Sequence, residues 1–515
     1  MKVAIGVRHD LFESTLRLSC GQADGFTVPS LESRLTTDTY NVHHMVGMMQ
    51  RMGIRAPILL LGGLLITLAL DPVLTGVMFC VLPLIVLTVW LVSRRGVPLF
   101  LKSQKSGDAM VRVVREDAMG IRVIKALSRK HYEKNRYDKV NHKLADDGLH
   151  ASAVMGISNP LINLFLNLGL VAVLLVGAVR VMNGDCLPGK IISFIQYFTL
   201  LSNAMLAMTR IFMMYTKGAA SMGRITEVID AANSAPEAPK SLPASHDGGA
   251  TEGYLTFENV NFSYGGSRLA KEGEPAGRQL RDVSFSLPKG GTLGVIGATG
   301  SGKTTLLSLL MRFYDTEEGC GRILLDGQDI RALPTNILRE KFGIAMQNDF
   351  IMAGSIKQNI LFGRDIPMGD VERAARIAQA SSFIEAFPDG YDHLLNAKGT
   401  NLSGGQKQRI LIARALAGRP EILILDDASS ALDYRTDAAL RQALQDEKTS
   451  EGGLLSAQTT TILVAQRVSS VKDADLILVL DGGEIIGCGD HNTLTRTCEI
   501  YREIALSQMG GAILD

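Results

Sequence analysis

The sequence predicts a multidomain protein in which an α-helical transmembrane domain is followed by a soluble α/β domain. Two observations support this prediction. Apolar residues make up 46% of the 515-residue chain, and they are concentrated in its first half, where four stretches approach membrane-spanning length. In the second half, apolar runs of strand length alternate with longer helix-like stretches, as expected of an α/β fold.

The four predicted spans cover residues 54–70, 73–92, 154–181 and 191–215. A helix needs about 20 mostly apolar residues to cross a bilayer, so the first span is somewhat short and is expected to extend towards its N-terminal side. Only Asp71 and Pro72 separate the first two spans. Together the spans define a predicted transmembrane domain of residues 1–230.

The distribution of charge predicts the orientation of these spans. The short turns at residues 71–72 and 183–189 contain no Lys or Arg, although Arg180 and Lys190 flank the second turn. The long connection between the second and third spans is strongly basic, with Arg94, Arg95, Lys102, Lys105, Arg112, Arg115, Arg122, Lys125, Arg129, Lys130, Lys134, Arg136, Lys139 and Lys143. Because excess positive charge marks the cytoplasmic side, both termini and this connection are expected in the cytoplasm.

Composition changes after the fourth span. Residues 231–250 are rich in Ala, Pro, Ser and Gly, which is typical of a flexible linker. The α/β domain is therefore predicted to occupy residues 251–515. A net charge of +1 gives no general attraction to nucleic acid, and the six cysteines lack metal-ligand spacing.

A phosphate-binding loop is predicted at residues 297–304, with the sequence GATGSGKT between an apolar strand and a helix. Its glycines allow backbone N–H groups to turn onto phosphate oxygens, and the helix N-terminus also favours an anion. In this type of loop the lysine contacts the outer phosphates and the Ser or Thr binds Mg²⁺. The predicted contacts are Gly297, Ala298, Thr299, Gly300, Ser301, Gly302, Lys303, Thr304 and Thr305.

Asp426 ends the apolar strand ILILD and is a second candidate ligand of Mg²⁺. The stretch NLSGGQKQRILIARAL, residues 401–416, resembles the signature motif of ATP-binding cassette (ABC) proteins, and SSALD after Asp427 resembles their D-loop. The resemblance implies that Tyr264 stacks on adenine. It also implies that Gln347 senses the γ-phosphate and contributes to the Mg²⁺ site.

The resemblance extends over nearly the whole chain and is to exporter-type half-transporters, in which a membrane domain precedes the ATP-binding domain. Residues 30–42 are similar to the first intracellular coupling loop of that family, and residues 117–137 to the second. In the family two nucleotide domains close head to tail around two ATP molecules. Each ATP then contacts the phosphate loop of one chain and the signature of the other, here Ser403, Gly404, Gly405 and Gln406.

This sequence departs from the family pattern in three places. The family typically has six spans, so the first two are expected to be missing from this sequence, through a mis-assigned start or a truncated gene. The general base of the family is Glu, whereas this chain has Asp427. The switch histidine of the family is replaced by Gln466. Asp is one methylene shorter than Glu, and an amide cannot carry the charge of a histidine.

These departures predict a site that binds Mg-ATP and cleaves it slowly, beside a signature that remains intact. A heterodimeric exporter with one active and one degenerate site fits best, and a homodimer remains open. The cofactors expected are ATP and Mg²⁺, and the partners are a second half-transporter, membrane lipid and a transported substrate, without nucleic acid. The expected location is the bacterial inner membrane. The alternatives are an ATP-binding regulatory subunit that transports nothing, and a non-functional truncated product.

Overall fold

The computed structural model of the protein describes residues 2–234, 253–264, 279–317, 319–347 and 350–509. Most of the predicted linker, residues 235–250, lies outside the described residues. The chain divides into two compact units. One consists of Met1–Phe12 and Glu32–Glu227, and the other of Glu13–Leu31 and Val228–Asp515.

The described chain from residue 2 to residue 234 is almost entirely helical. Its helices are α1 (Lys2–Arg17), α2 (Cys20–Phe26), α3 (Val28–Ser33), α4 (Thr39–Met48), α5 (Arg55–Leu70), α6 (Pro72–Ala126), α7 (Lys130–Gly156), α8 (Ser158–Met182) and α9 (Pro188–Asn233), with π-helical turns at Arg34–Asp38 and Met49–Gly53. Four helical runs among the described residues are long and apolar enough to cross a membrane: Val28–Leu70, Pro72–Ala126, Lys130–Met182 and Pro188–Asn233.

The basic connection between the second and third spans is not an open loop. Helix α6 continues 34 residues beyond the predicted end of the second span at residue 92, and α7 follows after three residues. At 1.5 Å per residue, the 55 residues of α6 extend for about 80 Å, whereas the hydrocarbon core of a bilayer is about 30 Å thick. A bilayer core holds only about 20 residues of a helix, so more than half of α6, which carries most of its charged residues, lies beyond the core.

Small residues allow the spanning helices to approach closely. A Cβ on Gly169 of α8 would lie 2.8 Å from Phe198 of α9 and 2.8 Å from Val81 of α6. Met78, Ile85 and Ile162 are buried in the same apolar cluster. Close approach at glycine is a usual source of helix association in membranes, because lipid tails compete with apolar side chains for the same contacts.

The two cations that flank the turn between α8 and α9 are both engaged. Arg180 Nη1 lies 2.5 Å from Asp71 Oδ1, and Lys190 Nζ donates to the carbonyl of Leu70 at 3.0 Å. Asp71 also caps α6 by accepting from the backbone N–H of Val73 and Leu74. One buried carboxylate therefore ties the turn between α5 and α6 to the end of α8.

The second half is an α/β domain with two main sheets. The strands are β1 (Leu255–Phe262), β2 (Leu280–Leu287), β3 (Thr292–Gly297), β4 (Arg322–Leu325), β5 (Gln328–Asp329), β6 (Phe342–Ala345), β7 (Gly354–Ser355), β8 (Leu394–Leu395), β9 (Ile422–Asp426), β10 (Thr460–Val464), β11 (Leu476–Asp481) and β12 (Glu484–Gly489). The larger sheet has the order β12-β11-β3-β10-β9-β6, with β12 antiparallel and the others parallel. The smaller sheet is antiparallel, with the order β2-β1-β4-β5.

Helices surround the parallel sheet, and several are short. They are α10 (Lys303–Leu310), α11 (Thr335–Glu340), α12 (Ile356–Leu361), α13 (Met368–Ile377), α14 (Ser381–Glu385), α15 (Gly404–Ala417), α16 (Tyr434–Thr449), α17 (Val468–Val471), α18 (His491–Thr497) and α19 (Glu499–Met509). Every residue of β9 is buried, which explains its unbroken apolar sequence, since parallel strands are covered on both faces. The predicted fold class, a helical transmembrane domain followed by an α/β domain, is confirmed.

Candidate nucleotide site

Four parallel strands bring the predicted site residues to one edge of the larger sheet. The loop after β3 begins at Gly297, Gln347 lies two residues beyond β6, Asp426 ends β9, and Gln466 lies two residues beyond β10. Ligands of open α/β sheets bind outside the carboxyl ends of such strands. The sequence separates these residues by up to 169 positions, and the parallel pairing of the strands brings them together.

The phosphate loop has the backbone that its glycines allow. Gly300 and Gly302 have φ values of +83° and +102°, in the left-handed region that favours glycine. Helix α10 begins at Lys303, whose ammonium donates to the carbonyls of Gly297 and Ala298 at 2.8 and 2.7 Å. Burial lowers the pKa of Lys303, and the carboxylates of Asp426 and Asp427 oppose that shift. A helix N-terminus and a cation thus face the same loop.

The residues predicted to hold Mg²⁺ offer the hard oxygen donors that this ion prefers. Asp426 is buried, and burial followed by the neighbouring charge of Asp427 raises the pKa of its carboxyl group. A divalent cation bound here would offset that shift, because its charge stabilises the ionised carboxylate. The exposed hydroxyl of Thr304 at the start of α10 and the amide of Gln347 complete a set that fits Mg²⁺, which also binds to substrate phosphates and water.

Asp427 lies at the centre of a hydrogen-bonded cluster. Its Oδ2 accepts from Gln347 Nε2 at 3.0 Å and from Gln466 Nε2 at 2.9 Å. The residue is buried, has a φ of +51°, and donates its backbone N–H to the carbonyl of Val464 at 2.8 Å. The two residues that depart from the family pattern, Asp427 and Gln466, are therefore direct partners.

Tyr264 is half-exposed, with 43% of its surface accessible, as a residue that stacks on a base requires. Its ring packs edge to face against Phe262 and Tyr314, with centroid distances of 5.0 and 4.9 Å. Its hydroxyl lies 3.3 Å from the Oγ1 of Thr305 on α10. These contacts place Tyr264 beside the helix that begins at the phosphate loop.

The same aromatic cluster contacts helix α2, which the motifs in the sequence did not predict. The hydroxyl of Tyr314 donates to Asp24 Oδ2 at 2.5 Å, and Gln22 Nε2 donates to the carbonyl of Ala231 at 2.8 Å. Burial, followed by the hydrogen bond to Asp24, raises the pKa of Tyr314. The Ser19-x-x-Gln22 capping box that starts α2 was a readable signal for this helix. Residues 30–42, where the first coupling loop was predicted, lie within helical segments.

The signature residues form the N-terminus of α15. Ser403 caps this helix by accepting from the N–H of Gln406 at 3.2 Å, and Gln406 Oε1 accepts from the N–H of Ser403 at 2.9 Å. Ser403 and Gly404 are exposed. No hydrogen bond among the described residues joins this group to the phosphate loop, so the signature is a separate, outward-facing helix N-terminus.

Comparison with known proteins agrees with this geometry. The family model of the ABC transporter transmembrane region matches residues 1–205, and a second family model, described as ABC transporter, matches residues 280–430. The uncharacterized ABC transporter ATP-binding protein YfiB of Bacillus subtilis is 33% identical over 507 residues, which cover 98% of this chain and 83% of that protein.

Two further relatives have more specific descriptions. A fatty acid ABC transporter ATP-binding/permease protein of Mycobacterium bovis is 31% identical over 98% of this chain and 76% of its own length. The solved structure of a bacterial Atm1-family ABC exporter with ATP bound has a TM-score of 0.81 and 25% identity, and the match covers 99% of this chain and 86% of that one.

The chain belongs to the ABC transporter family. It has the half-transporter architecture of ABC exporters, in which a membrane domain is fused to an ATP-binding domain. The α/β half is therefore an ATP-binding domain of a class that has ATPase activity in general.

Proposed function

We propose that this chain is one half of a dimeric exporter and that its own site binds Mg-ATP but cleaves it slowly. The observation that carries the proposal is the double hydrogen bond to Asp427 Oδ2 from Gln347 and Gln466. A general base must lie within about 2.6–3.2 Å of the water that it activates, or reach it through one further water. Here the base has the shorter acidic side chain, and one of its two oxygens already accepts from two amides.

Gln466 also supports slow hydrolysis, because in place of a histidine it keeps a hydrogen-bond donor but cannot carry a positive charge. Its amide donates to Asp427 at 2.9 Å and could donate equally to a γ-phosphate. An amide does not titrate, so it supplies no positive charge to a developing transition state, which a protonated histidine does. Both departures therefore weaken hydrolysis, whereas nucleotide binding depends on the phosphate loop and is retained.

The partner is proposed to be a second half-transporter that has a functional base. The signature residues are intact, and their capping box leaves the N-terminus of α15 exposed for the phosphates of another chain. A chain with a sound signature and a weak base is most useful in a heterodimer, where its signature completes the active site of the partner. We place this dimer in the bacterial inner membrane with the nucleotide domains in the cytoplasm.

The direct test is the fate of ATP bound to the purified full-length chain. With Mg²⁺ present, the chain should retain about one nucleotide per site, and most of it should be recovered as ATP after many minutes. Lys303→Ala is the control, because it removes the ammonium from the loop that binds the phosphates and should abolish retention. Rapid recovery as ADP would contradict the slow site, and unchanged retention in Lys303→Ala would contradict the assignment of the loop.

A further inference from the structure

Gln508, near the end of the C-terminal helix α19, hydrogen-bonds to the backbone on both sides of Arg467. Its Oε1 accepts from the N–H of Val468 at 2.8 Å, and its Nε2 donates to the carbonyl of Gln466 at 2.9 Å. Val468 is the first residue of α17, and the N–H groups in the first turn of a helix have no partner within the helix. Gln508 supplies that partner from 40 residues further along the chain.

Apolar packing holds α19 against the same segment. Tyr501 and Ala505 of α19 are fully buried in one cluster with Val468 and Val471 of α17 and with Ala465, which directly precedes Gln466. Burial of this kind fixes the distance between the two helices. The exposed side chain of Gln508 thereby reaches residues 466–468 from a helix whose apolar face is packed against α17.

The far end of α17 has other restraints. Arg441 Nη1 donates to the carbonyl of Ser469 at 2.6 Å, and the hydroxyls of Ser429 and Ser470 lie 3.3 Å apart. On the near side, the N–H of Ala465 donates to the carbonyl of Val295 at 3.1 Å, which ends the pairing of β10 with β3. Within the described residues, the carbonyl of Gln466 and the N–H of Val468 have their hydrogen bonds with Gln508 alone.

Gln466 is thus held at both ends, with its carbonyl bonded to Gln508 and its side-chain amide bonded to Asp427. We propose that Gln508 is a positioning residue of the nucleotide site, and that through it the C-terminal helix sets where the Gln466 amide meets Asp427 and the γ-phosphate. This inference rests on the proposed role of Gln466. It makes α19 a regulatory element, because anything that shifts this helix moves a residue of the phosphate site.

The test compares Gln508→Ala with Ser507→Ala in the full-length chain. Ser507 is the exposed neighbour on the same helix and serves as the matched control. In Gln508→Ala we expect kcat for ATP hydrolysis to fall about fivefold, the factor that one neutral hydrogen bond contributes, with KM for ATP unchanged. Hydrogen exchange at the N–H of Val468 should become roughly tenfold faster, because this group loses its acceptor.

Gln508→Glu separates positioning from folding. It keeps an acceptor for the N–H of Val468 but places a carboxylate against the carbonyl of Gln466, so exchange at Val468 should stay slow while kcat falls as in Gln508→Ala. This variant also decides the matter if Gln508→Ala does not fold. Equal kcat in the Gln508 variants and Ser507→Ala would overturn the proposal, as would unchanged exchange at Val468 in Gln508→Ala.

Two backgrounds distinguish this inference from the proposed function. The variants are measured in the unmodified chain and in Asp427→Glu with Gln466→His. If the latter background hydrolyses ATP no faster than the unmodified chain, the slow-site proposal fails, and the role of Gln508 is then determined from the residual kcat of the unmodified chain. If that background hydrolyses ATP faster but its kcat does not change when Gln508 is substituted, the positioning role fails and the slow-site proposal stands.

Discussion

Asp427→Glu combined with Gln466→His should restore hydrolysis to the site of this chain. Glutamate extends the carboxylate by one C–C bond, about 1.5 Å, which is comparable to half a hydrogen-bond length. At position 427 the backbone is fixed by the N–H of Asp427 and the carbonyl of Val464 at 2.8 Å, so the added length must be taken up by the side chain. In the double variant only the amide of Gln347 remains of the two that bind Asp427, and the longer side chain lets the carboxylate reach a water beyond it.

General-base catalysis contributes about 10²- to 10⁴-fold to a rate. We expect the double variant to gain about 10²-fold, because the amide of Gln347 remains and still competes for the carboxylate. This gain corresponds to about 2.7 kcal/mol in the activation barrier. Asp427→Glu alone should supply most of it, and Gln466→His alone little, because a charge at 466 helps only once a water is activated.

The assay is steady-state phosphate release from the folded, dimeric preparation. Lys303→Ala in the double variant is the control and should remove the gain, since it removes the nucleotide. A double variant that binds ATP normally but hydrolyses it at the original rate would refute the reasoning. The length of the base and the missing histidine would then not be what limits this site.

Two other residues give independent tests. Asp426→Asn should raise the Tm at pH 7 in the absence of Mg-nucleotide and abolish stabilisation by Mg-ATP, as measured by thermal unfolding. Burial raises the pKa of Asp426 in the folded chain, so its ionisation lowers stability as the pH rises from the ordinary carboxyl pKa of about 3.9 to the raised value. The gain in Tm from Asn should therefore vanish below about pH 3.9. A lower Tm at pH 7 would contradict this. Tyr314→Phe removes the donor to Asp24 and should speed hydrogen exchange of helix α2 about fivefold while ATP affinity stays within about twofold; unchanged exchange of α2 would show that this contact does not hold the helix.

Much of the fold could be predicted from sequence because its signals are local. The four apolar stretches, the glycines of the phosphate loop and the fully buried β9 each identify themselves within a few residues. The sequence does not indicate the full extent of α6, because its charged stretch predicts a connection, although helices continue readily through charged residues in water. Helix length depends here on packing against α7 and α8, which no local pattern reports.

The sequence identifies the residues of the cluster at the site but not the hydrogen bonds between them. Gln347, Asp427 and Gln466 were each singled out by resemblance, but their mutual hydrogen bonds depend on β6, β9 and β10 ending at one edge of the sheet. Gln508 and Tyr314 gave no sequence signal at all. The role of Gln508 depends on two tertiary hydrogen bonds and that of Tyr314 on one, all between distant segments, and such bonds leave no periodic pattern.

The most direct test of a weak site beside a sound signature compares Gly404→Asp with Asp427→Asn in the complex co-purified with its partner. A Cβ on Gly404 meets nothing within 4 Å, so the substitution fits the fold and acts only by placing a carboxylate where the phosphate of the partner's nucleotide would lie. The rate of ATP hydrolysis by the complex should be largely lost in Gly404→Asp and should change less than about twofold in Asp427→Asn. If Asp427→Asn is instead the more damaging substitution, Asp427 is a working base and the central claim is wrong.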